Sequence, residues 1–310
     1  MSLQVRSQDR ENEIQGIEEE IQELEKRLEE AKSRLAANRT SSAPSSRHPT
    51  KGLATNNAPL SPQPNHFLLL LADSALPLGS FAFSSGLESY LAHTKPKSSF
   101  PDFLAFSLSS YSSTTLPFVL AAHRNPRDLI DLDDAQDASI MCTVGRRASI
   151  AQGRALLSIW DRSFSAALSS ELSPSTSAAG VDILREFFLL LKSASSAPKT
   201  TSSGELPPIS AHFAPLFGAI ASTVGISLEQ TAYVFMLGHV KALLSAAVRA
   251  SMFGPYHAQK VLASGEVQMG IKDAIEREWD TKVEDAGQSV PVMDLWIGRH
   301  EMLYSRIFNS

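Results

Sequence analysis

The earliest apolar pattern in the chain is a heptad repeat near its N-terminus. Apolar residues follow one another at alternating steps of three and four positions, a spacing typical of a coiled-coil seam; they are Ile14, Ile17, Ile21, Leu24, Leu28, Ala31 and Leu35. We therefore expect residues 1–37 to form an amphipathic, coiled-coil-like helix. A parallel homodimer would bring like charges such as Glu13 and Glu18 together, which favours antiparallel pairing or another partner, and a solvated single helix is an open alternative.

Prolines and small polar residues replace this pattern between residues 38 and 66. Pro44, Pro49, Pro59, Pro62 and Pro64 stand among serine, threonine and asparagine. Such a composition cannot bury enough apolar surface to offset the entropy of ordering the chain. We expect residues 38–66 to be a disordered linker.

From residue 67 onward, apolar runs alternate with residues that end and begin helices. The run at 67–72 ends before Pro77, because proline has no N–H to donate. Ser85 with Glu88 has the form of a capping box that would begin the next helix. Ser99 and Asp102 predict a cap at the start of another helix. Pro117 is expected to lie in the first turn of a further helix.

The later apolar segments also have helical spacing. A long helix is expected over residues 139–168, and the Ser/Pro-rich stretches at 169–180 and 193–208 are expected to be surface loops. Ser227 and Gln230 form a second capping box, and the apolar helix that follows is expected to be the central buried helix. The pattern predicts an all-α fold, with one helical-bundle domain over residues 67–310.

Composition and charge narrow the classes of partner. With 310 residues, 43% of them hydrophobic, the chain can bury a substantial core, and its net charge of −5 offers no basic surface for nucleic acid. The single Cys142 excludes an internal disulfide framework. The first ten residues lack the apolar core of a secretory signal, and polar residues interrupt the most apolar helix. We expect a cytoplasmic protein with no nucleic-acid partner and no membrane contact.

Motifs for nucleotide, metal or nucleophilic chemistry are not visible in the chain. No Walker-type glycine loop occurs, no G-x-S-x-G surrounds Ser80 or Ser84, and Tyr304 stands where a zinc-protease helix beginning at His300 would need its second histidine. His212 and His239 lie among apolar neighbours and are expected to be hydrogen-bonded core residues. We expect no catalytic residue, no metal ligand and no cofactor bound by this chain alone.

Residues 68–88 carry a resemblance to a known family. They resemble the N-terminal signature of UreF, the urease accessory protein, which is close to L-x-D-S-x-x-P-x-G-x-F-x-x-S-x-G-L-E. Many bacterial members have glycine where this chain has Ser80 and histidine where it has Phe83. Since phenylalanine cannot coordinate a metal, the motif is interpreted as a shaped surface and not as a nickel site. A plain helix-to-helix corner, with Phe81 and Phe83 plugging the core, is the alternative.

The resemblance resumes further along the chain. The segments at 147–157, 212–220 and 225–230 are similar to the UreF pattern, and residues 299–308 are similar to its closing motif, R-H-E-x-L-Y-S-R-L-F. With the extra N-terminal residues, the chain resembles a eukaryotic, fungal-like member of the family.

The last segment is expected to be a helix with two apolar faces. One face would hold Leu295, Trp296, Met302, Leu303 and Ile307, and the opposite side Ile297, Tyr304 and Phe308. The first would pack on the chain's own core, and the second, with its charged residues, would suit a groove on another protein. A helix end sandwiched within the chain's own fold is the alternative.

The resemblance implies a scaffold for nickel insertion into apo-urease. Such a protein would dimerise, bind the accessory protein UreD (also called UreH) through its C-terminal helix and recruit the GTPase UreG; nickel would be handled by the complex, and GTP would be bound by the GTPase. The partner-binding residues expected on this basis are Asp73, Pro77, Gly79, Phe81, Ser84, Gly86, Glu88, Arg299, His300, Glu301, Tyr304, Ser305 and Arg306.

Two other functions are open at this point. The chain could stimulate the partner GTPase with an arginine supplied in trans; the candidates are Arg146, Arg147, Arg154 and Arg249. A weaker alternative is a stand-alone helical enzyme, which would need a pocket where several histidines and carboxylates converge.

Overall fold

The structure, a computed structural model, describes Lys26 and residues 64–169, 177–196 and 209–309. The chain divides into two compact units, Met1–Ala58 and Pro59–Ser310, and the elements described below belong to the second. Apart from Lys26, the helix predicted for residues 1–37 lies outside the described residues, and so does the predicted linker as far as residue 63. Of the predicted loops at 169–180 and 193–208, residues 170–176 and 197–208 are also outside them; residues 177–180 and 193–196 belong to a helix, Ser177–Ser196, so the loop prediction is wrong there.

Within the described ranges the secondary structure is helical and contains no strand. The helices are α1 (Pro64–Ala72), α2 (Leu87–Thr94), α3 (Phe100–Arg124), α4 (Leu129–Ser139), α5 (Thr143–Ile159), α6 (Ser165–Ser169), α7 (Ser177–Ser196), α8 (Phe213–Thr223), α9 (Leu228–Arg249), α10 (Pro255–Leu262), α11 (Gly265–Glu278) and α12 (Val292–Arg299). A π-helical turn at Trp160–Phe164 joins α5 to α6. The predicted all-α class is confirmed.

The core is built around α3 and α8. Leu116 and Leu120 of α3 and Leu216 of α8 are fully buried. Gly218 lets the two helices approach closely, because a Cβ atom there would clash with the carbonyl oxygen of Val119. Of the helices described, α8 is therefore the one most completely enclosed, rather than the longer apolar helix that the sequence favoured.

That longer helix, α9, packs one side against the core. Phe235, Met236 and Val240 are buried, whereas Gly238 and Ser245 are exposed. By length and hydropathy α9 could cross a membrane, but 56% of its most apolar window is buried inside the fold. Burial of that size is what a core helix shows.

Local capping signals determine where several helices begin. Ser227 Oγ accepts from Gln230 N (3.2 Å), and Gln230 Oε1 accepts from Ser227 N (3.3 Å), so the predicted capping box of α9 is confirmed. Ser99 Oγ likewise accepts from Asp102 N (3.4 Å) at the start of α3. These caps satisfy N–H groups that have no partner inside their own helix.

Pro117 does not begin a helix, and the prediction that it does is wrong. It lies inside α3, which continues to Arg124. A proline within a helix leaves the carbonyl four residues earlier without its usual N–H donor. Here Gly287 N donates to that carbonyl, Ser113 O, at 3.1 Å. The contact from outside the helix makes the proline tolerable.

Helix α1 begins at Pro64, in the last residues of the predicted linker. Proline is suited to a first helical turn, where its missing N–H is not needed. Phe67 and Leu71 are buried, and Lys241 Nζ of α9 donates to Ala72 O at the end of α1 (2.6 Å). The first described helix is therefore fastened to α9 by both apolar packing and a hydrogen bond.

Candidate partner-binding site

Residues 73–86, here called the signature loop, connect α1 to α2. Asp73 Oδ1 accepts from Ala75 N (2.9 Å) at its start, and a short 3-10 turn at Ser80–Ala82 forms its tip. Gly79 and Gly86 have φ angles of 72° and 86°, a region in which side chains with a Cβ atom are strained. The two glycines of the motif are therefore explained by backbone conformation.

The predicted capping box of Ser85 and Glu88 is wrong. The residue that caps α2 is Gly86, which has no side chain to accept a hydrogen bond. Ser84 Oγ accepts from Glu88 N at 3.4 Å instead. The carboxylate of Glu88 does not turn back towards Ser85, because it is used by a distant part of the chain.

Glu88 binds the C-terminal tail, which we define as residues 300–309. His300 Nε2 donates to Glu88 Oε2 (2.9 Å), Ile307 N donates to Oε1 (2.7 Å) and Phe308 N donates to Oε2 (3.2 Å). His300 is fully buried, and its other ring nitrogen has no hydrogen-bond partner. Glu88 and His300 therefore form an internal joint between α2 and the tail.

The predicted C-terminal helix ends earlier than expected. Helix α12 stops at Arg299, a 3-10 turn follows at His300–Met302, and the rest of the tail is not helical. The predicted faces are also wrong, because Leu295, Met302 and Ile307 are 60%, 80% and 62% exposed while Phe308 is buried. A helical projection fails here because the tail folds back onto Glu88.

Arg249, at the end of α9, joins the signature loop to the tail. Its guanidinium donates to Phe81 O and lies over the ring of Phe308, 4.3 Å from the ring centroid. Asn309 N donates to Ala82 O at 2.8 Å. Besides a local bond from Nε to Ser245 O (3.4 Å), Arg249 has partners only in distant segments, so no sequence signal marks this role.

The structure thus brings the two predicted sets of residues together, but not all of them reach the surface. Exposed are Asp73, Pro77, Phe81, Arg299, Glu301, Tyr304, Ser305 and Arg306; half-buried are Gly79 and Glu88; buried are Ser84, Gly86 and His300. We define the loop–tail surface as Phe81, Glu301, Tyr304, Ser305 and Arg306. Tyr304 is fully exposed and Phe81 is 63% exposed.

Gly86 also supports this surface from below. A Cβ atom at Gly86 would lie 3.1 Å from the backbone nitrogen of Ile297 and 3.2 Å from Cβ of Trp296. The glycine therefore allows α12 to pack directly against the beginning of α2.

The arginines of α5 have partners inside the chain. Arg147 pairs with Glu301 of the tail, Arg146 pairs with Asp137, and Arg154 Nε donates to Ser210 O at 3.2 Å. The hydrogen bond and charge of Arg147 lower the pKa of Glu301. The Arg147 pair connects α5 to the loop–tail surface.

His212 belongs to a buried polar network. Its Nε2 donates to Asp137 Oδ1 (2.8 Å), and its Nδ1 lies 3.0 Å from Ser149 Oγ. Burial would raise the pKa of Asp137, but hydrogen bonds from Arg146, His212 and Ser210 outweigh it and lower the pKa to about 2. The prediction of a hydrogen-bonded core histidine is confirmed.

Asp133 holds the backbone beside this network, a role that sequence reasoning missed. It is fully buried and accepts from the backbone N–H groups of Ser210 (2.7 Å), Ala211 (3.0 Å) and His212 (2.6 Å). These partners lie 77 to 79 residues later in the chain. No local pattern could have indicated them.

His239 is also a core residue, as expected. It is buried, lies 2.9 Å from Ser107 Oγ and stacks on the ring of Tyr111 at 3.9 Å between centroids. Burial lowers its pKa to about 3. Among the described residues, no group of three or more His, Cys, Asp or Glu side chains could hold a metal ion.

A cavity of about 340 Å³ lies beneath the signature loop. Phe81 and Phe83 border it and neither is buried, so they do not plug the core as the alternative interpretation supposed. The cavity is lined by one histidine, His239, and one carboxylate residue, Asp73. The convergence of several histidines and carboxylates that a stand-alone enzyme would need does not occur in this cavity.

Comparison with known proteins now adds to this geometry. The UreF family profile matches residues 95–266, more than half of the chain. A protein of Schizosaccharomyces pombe described as an uncharacterized urease accessory protein UreF-like is 35% identical over 79% of this chain and 97% of its own length. Urease accessory protein F of Oryza sativa subsp. indica is 31% identical over 77% of this chain and 82% of its own length.

A bacterial relative extends the comparison. Urease accessory protein UreF of Paenarthrobacter aurescens is 30% identical over 77% of this chain and 95% of its own length. This protein therefore belongs to the UreF family.

Proposed function

We propose that this protein acts in urease maturation, as a scaffold for nickel insertion into apo-urease. The names of its relatives, which are urease accessory proteins, support the process. The observation that carries the scaffold role is the loop–tail surface, where exposed aromatic and arginine side chains rest on the Glu88 and Arg249 joints. Aromatic and arginine residues on a fixed base commonly dominate the binding energy of protein interfaces.

The finer assignment follows the family resemblance. The tail binds UreD (UreH), the assembly recruits the GTPase UreG, and the scaffold works as a dimer in the cytoplasm. This chain contributes surfaces, while the complex handles nickel and the GTPase binds GTP. The chain itself carries out no catalysis and binds no cofactor.

The structure determines which variants test this proposal. A chain ending before Asp294 would lose the buried His300 and Phe308 as well as the exposed residues, so it would confuse loss of folding with loss of binding. Tyr304→Ala and Arg306→Ala alter exposed side chains alone. Matched controls are Tyr256→Ala, at a 91% exposed tyrosine of α10, and Arg185→Ala on α7.

Co-purification of the full chain with UreD and UreG is the measurement. We expect Tyr304→Ala and Arg306→Ala each to reduce recovery of UreD by about tenfold or more, since interface aromatic and arginine residues often contribute about 2 kcal/mol. The two controls should recover UreD as well as the original chain does. Undiminished recovery by both tail variants would remove the tail from the interface.

Timing GTP hydrolysis by the reconstituted assembly distinguishes scaffolding from stimulation of the GTPase. Arg146, Arg147, Arg154 and Arg249 are replaced singly, and each variant is compared with the unaltered assembly. Each of these arginines has a partner within the chain, so we expect unchanged hydrolysis rates wherever the complex still forms. A large loss of rate in an intact complex would favour the stimulating role.

A further inference from the structure

The cavity under the signature loop is lined by both apolar and polar side chains. Its volume of about 340 Å³ falls within the range of ligand pockets. Leu76, Leu78 and Phe83 of the loop line it together with Tyr111 and apolar residues of α8 and α9. Aromatic and aliphatic side chains therefore form one part of a space large enough for an additional ring, and polar residues such as Gln152 and Lys241 form the rest.

Phe81 borders this cavity, yet its side chain is mainly in solvent. The residue is 63% exposed. Exposed apolar surface is unfavourable in water, and the apolar part of the neighbouring cavity offers burial. The hydrophobic effect therefore favours a second position in which the Phe81 ring lies inside the cavity.

The backbone on both sides of Phe81 suits such a movement. Gly79 precedes the turn in a left-handed conformation, and a Cβ atom there would meet nothing within 4 Å. Ser85 and Gly86 follow with φ angles of 49° and 86°. Gly79, at the start of the turn Ser80–Ala82, reaches backbone conformations that other residues adopt only with strain.

Arg249 opposes the inward position. Its guanidinium donates to Phe81 O and lies 6.0 Å from the centroid of the Phe81 ring. The same guanidinium lies over the ring of Phe308 in the tail. One arginine therefore holds both the outward turn and the tail, so that the position of one is coupled to the position of the other.

From this arrangement we propose that the signature loop is a lid with two positions. In the outward position Phe81 is exposed beside the tail and held by Arg249. In the inward position the Phe81 ring fills the cavity, and the bond from Arg249 to Phe81 O is broken. The movement changes whether Phe81 belongs to the loop–tail surface. This inference concerns the chain alone and does not depend on the urease role.

Fluorine NMR on the full chain can observe both positions. 4-Fluorophenylalanine is introduced at position 81, and its signal is examined for exchange between a solvent-exposed and a buried environment. We expect a major exposed state and a minor buried state. Sensitivity of the signal to the exchange of H₂O for D₂O separates the two environments.

Two substitutions should shift the equilibrium in opposite directions. Arg249→Gln removes the charged donor to Phe81 O, and we expect the buried population to rise about tenfold because a charge-assisted hydrogen bond is lost. Gly238→Leu adds a side chain at an exposed position that borders the cavity, and leucine is a better helix former than glycine. We expect this variant to lose the buried signal, so that only the exposed signal remains.

Two controls separate the lid from other effects. Phe308→Leu removes the aromatic ring under Arg249 but leaves the bond to Phe81 O available, so it reports on loosening of the tail by itself. Arg185→Gln removes an exposed arginine of α7 that pairs with Asp182. Circular dichroism confirms that each variant is folded, and Arg249→Met, which keeps an aliphatic side chain but has no donor, replaces Arg249→Gln if the latter is not.

The outcomes are decisive in both directions. A buried signal that grows in the Arg249 variant and vanishes with Gly238→Leu supports the lid. A single exposed signal without exchange in the original chain and in the Arg249 variant alike would overturn it. Equal growth of the buried signal in Phe308→Leu and Arg249→Gln would also overturn it, since the tail and not the bond to Phe81 would then be responsible.

Discussion

At the scale of single residues, Glu88 joins α2 to the C-terminal tail. Its carboxylate accepts from His300, Ile307 and Phe308. Glu88→Gln removes the charge and directs an NH₂ group at N–H donors. We expect the free energy of unfolding to fall by about 2 kcal/mol, because hydrogen bonds to a charged acceptor are lost. Urea denaturation measures this change.

Hydrogen exchange shows whether that loss is local to the tail. We expect the amides of Ile307 and Phe308 to exchange faster in Glu88→Gln, while amides of α8 keep their protection relative to global unfolding. Glu186→Gln, at an exposed position of α7, is the matched control and should change neither quantity. Unchanged protection of the two tail amides would show that Glu88 does not hold the tail.

Asp137 makes stability depend on acid pH. Its pKa is lowered to about 2 from an ordinary value of 3.8 by hydrogen bonds from Arg146 and His212, which outweigh burial. A carboxyl with a depressed pKa stabilises the fold fully above its unfolded pKa, and the contribution disappears as pH falls towards the folded value. We therefore expect Asp137→Asn to cost about 1–2 kcal/mol at pH 7, allowing for partial solvation.

The same comparison at lower pH tests the direction in which the stabilisation by Asp137 changes. The difference in unfolding free energy between the original chain and Asp137→Asn should narrow as pH is lowered from 4 towards 2. Urea titrations at pH 7, 4 and 3 measure it. Asp131→Asn, at an exposed position of the same helix, should show no such narrowing. A difference independent of pH would indicate that the effect comes from packing.

At the scale of helices, one substitution should have opposite effects in α5 and α9. Gly153→Ala places a Cβ against the carbonyl oxygen of Ala211, whereas Gly238→Ala places it where nothing lies within 4 Å. We expect the first to destabilise the protein by about 3 kcal/mol through overpacking and the second to stabilise it by about 0.5–1 kcal/mol through helix propensity. Thermal unfolding of both variants measures the two changes in stability. Equal changes would contradict the close approach of Gly153 to Ala211.

What the sequence could predict about these helices depended on how far away the partners lie. Ser227 and Gln230 satisfy each other across three residues, so their capping box is visible as a local pattern. Ser85 and Glu88 have the same form, but the partners of Glu88 lie 212 to 220 residues later. A pattern cannot show that a distant group competes more strongly than a near one.

The prediction for the C-terminal segment was wrong for the same reason, because the partners of this segment are distant in the sequence. Helical periodicity assigns Ile307 to the core and Phe308 to a partner, yet the tail turns towards Glu88 and reverses both. The all-α class, the core histidines and the place of the signature loop were predictable, because apolar spacing and turn residues determine them locally. Which signature residues reach the surface was not.

At the scale of the whole molecule, α1 is the first helix of the second compact unit that the structure describes. Phe67 and Leu71 are buried, so deleting residues 1–60 should leave the free energy of unfolding and urease activation unchanged. Deleting residues 1–72 removes both apolar side chains, and we expect a loss of about 4 kcal/mol. Thermal and urea unfolding of the two shortened chains measure the difference.

Point variants keep this test valid if the shorter chain does not fold. Phe67→Ala should cost about 3–4 kcal/mol in the intact chain, whereas Leu69→Ala, at a 70% exposed position of the same helix, should cost little. A collapse of folding or of urease activation on deleting residues 1–60 would show that the N-terminal segment is not dispensable.

The proline inside α3 has a consequence for the far end of the chain. Ser113 O accepts from Gly287 N, and the neighbouring Ser289 Oγ donates to Ser109 O at 3.1 Å. These two hydrogen bonds attach the stretch that leads into α12 to the middle of α3. The loop–tail surface is therefore positioned in part by contacts with α3. We expect a substitution at Pro117, which is itself buried, to displace Tyr304 and Arg306 without a direct contact to either. Under the proposed scaffold role, partner recognition can therefore be lost through a change in the interior of the protein.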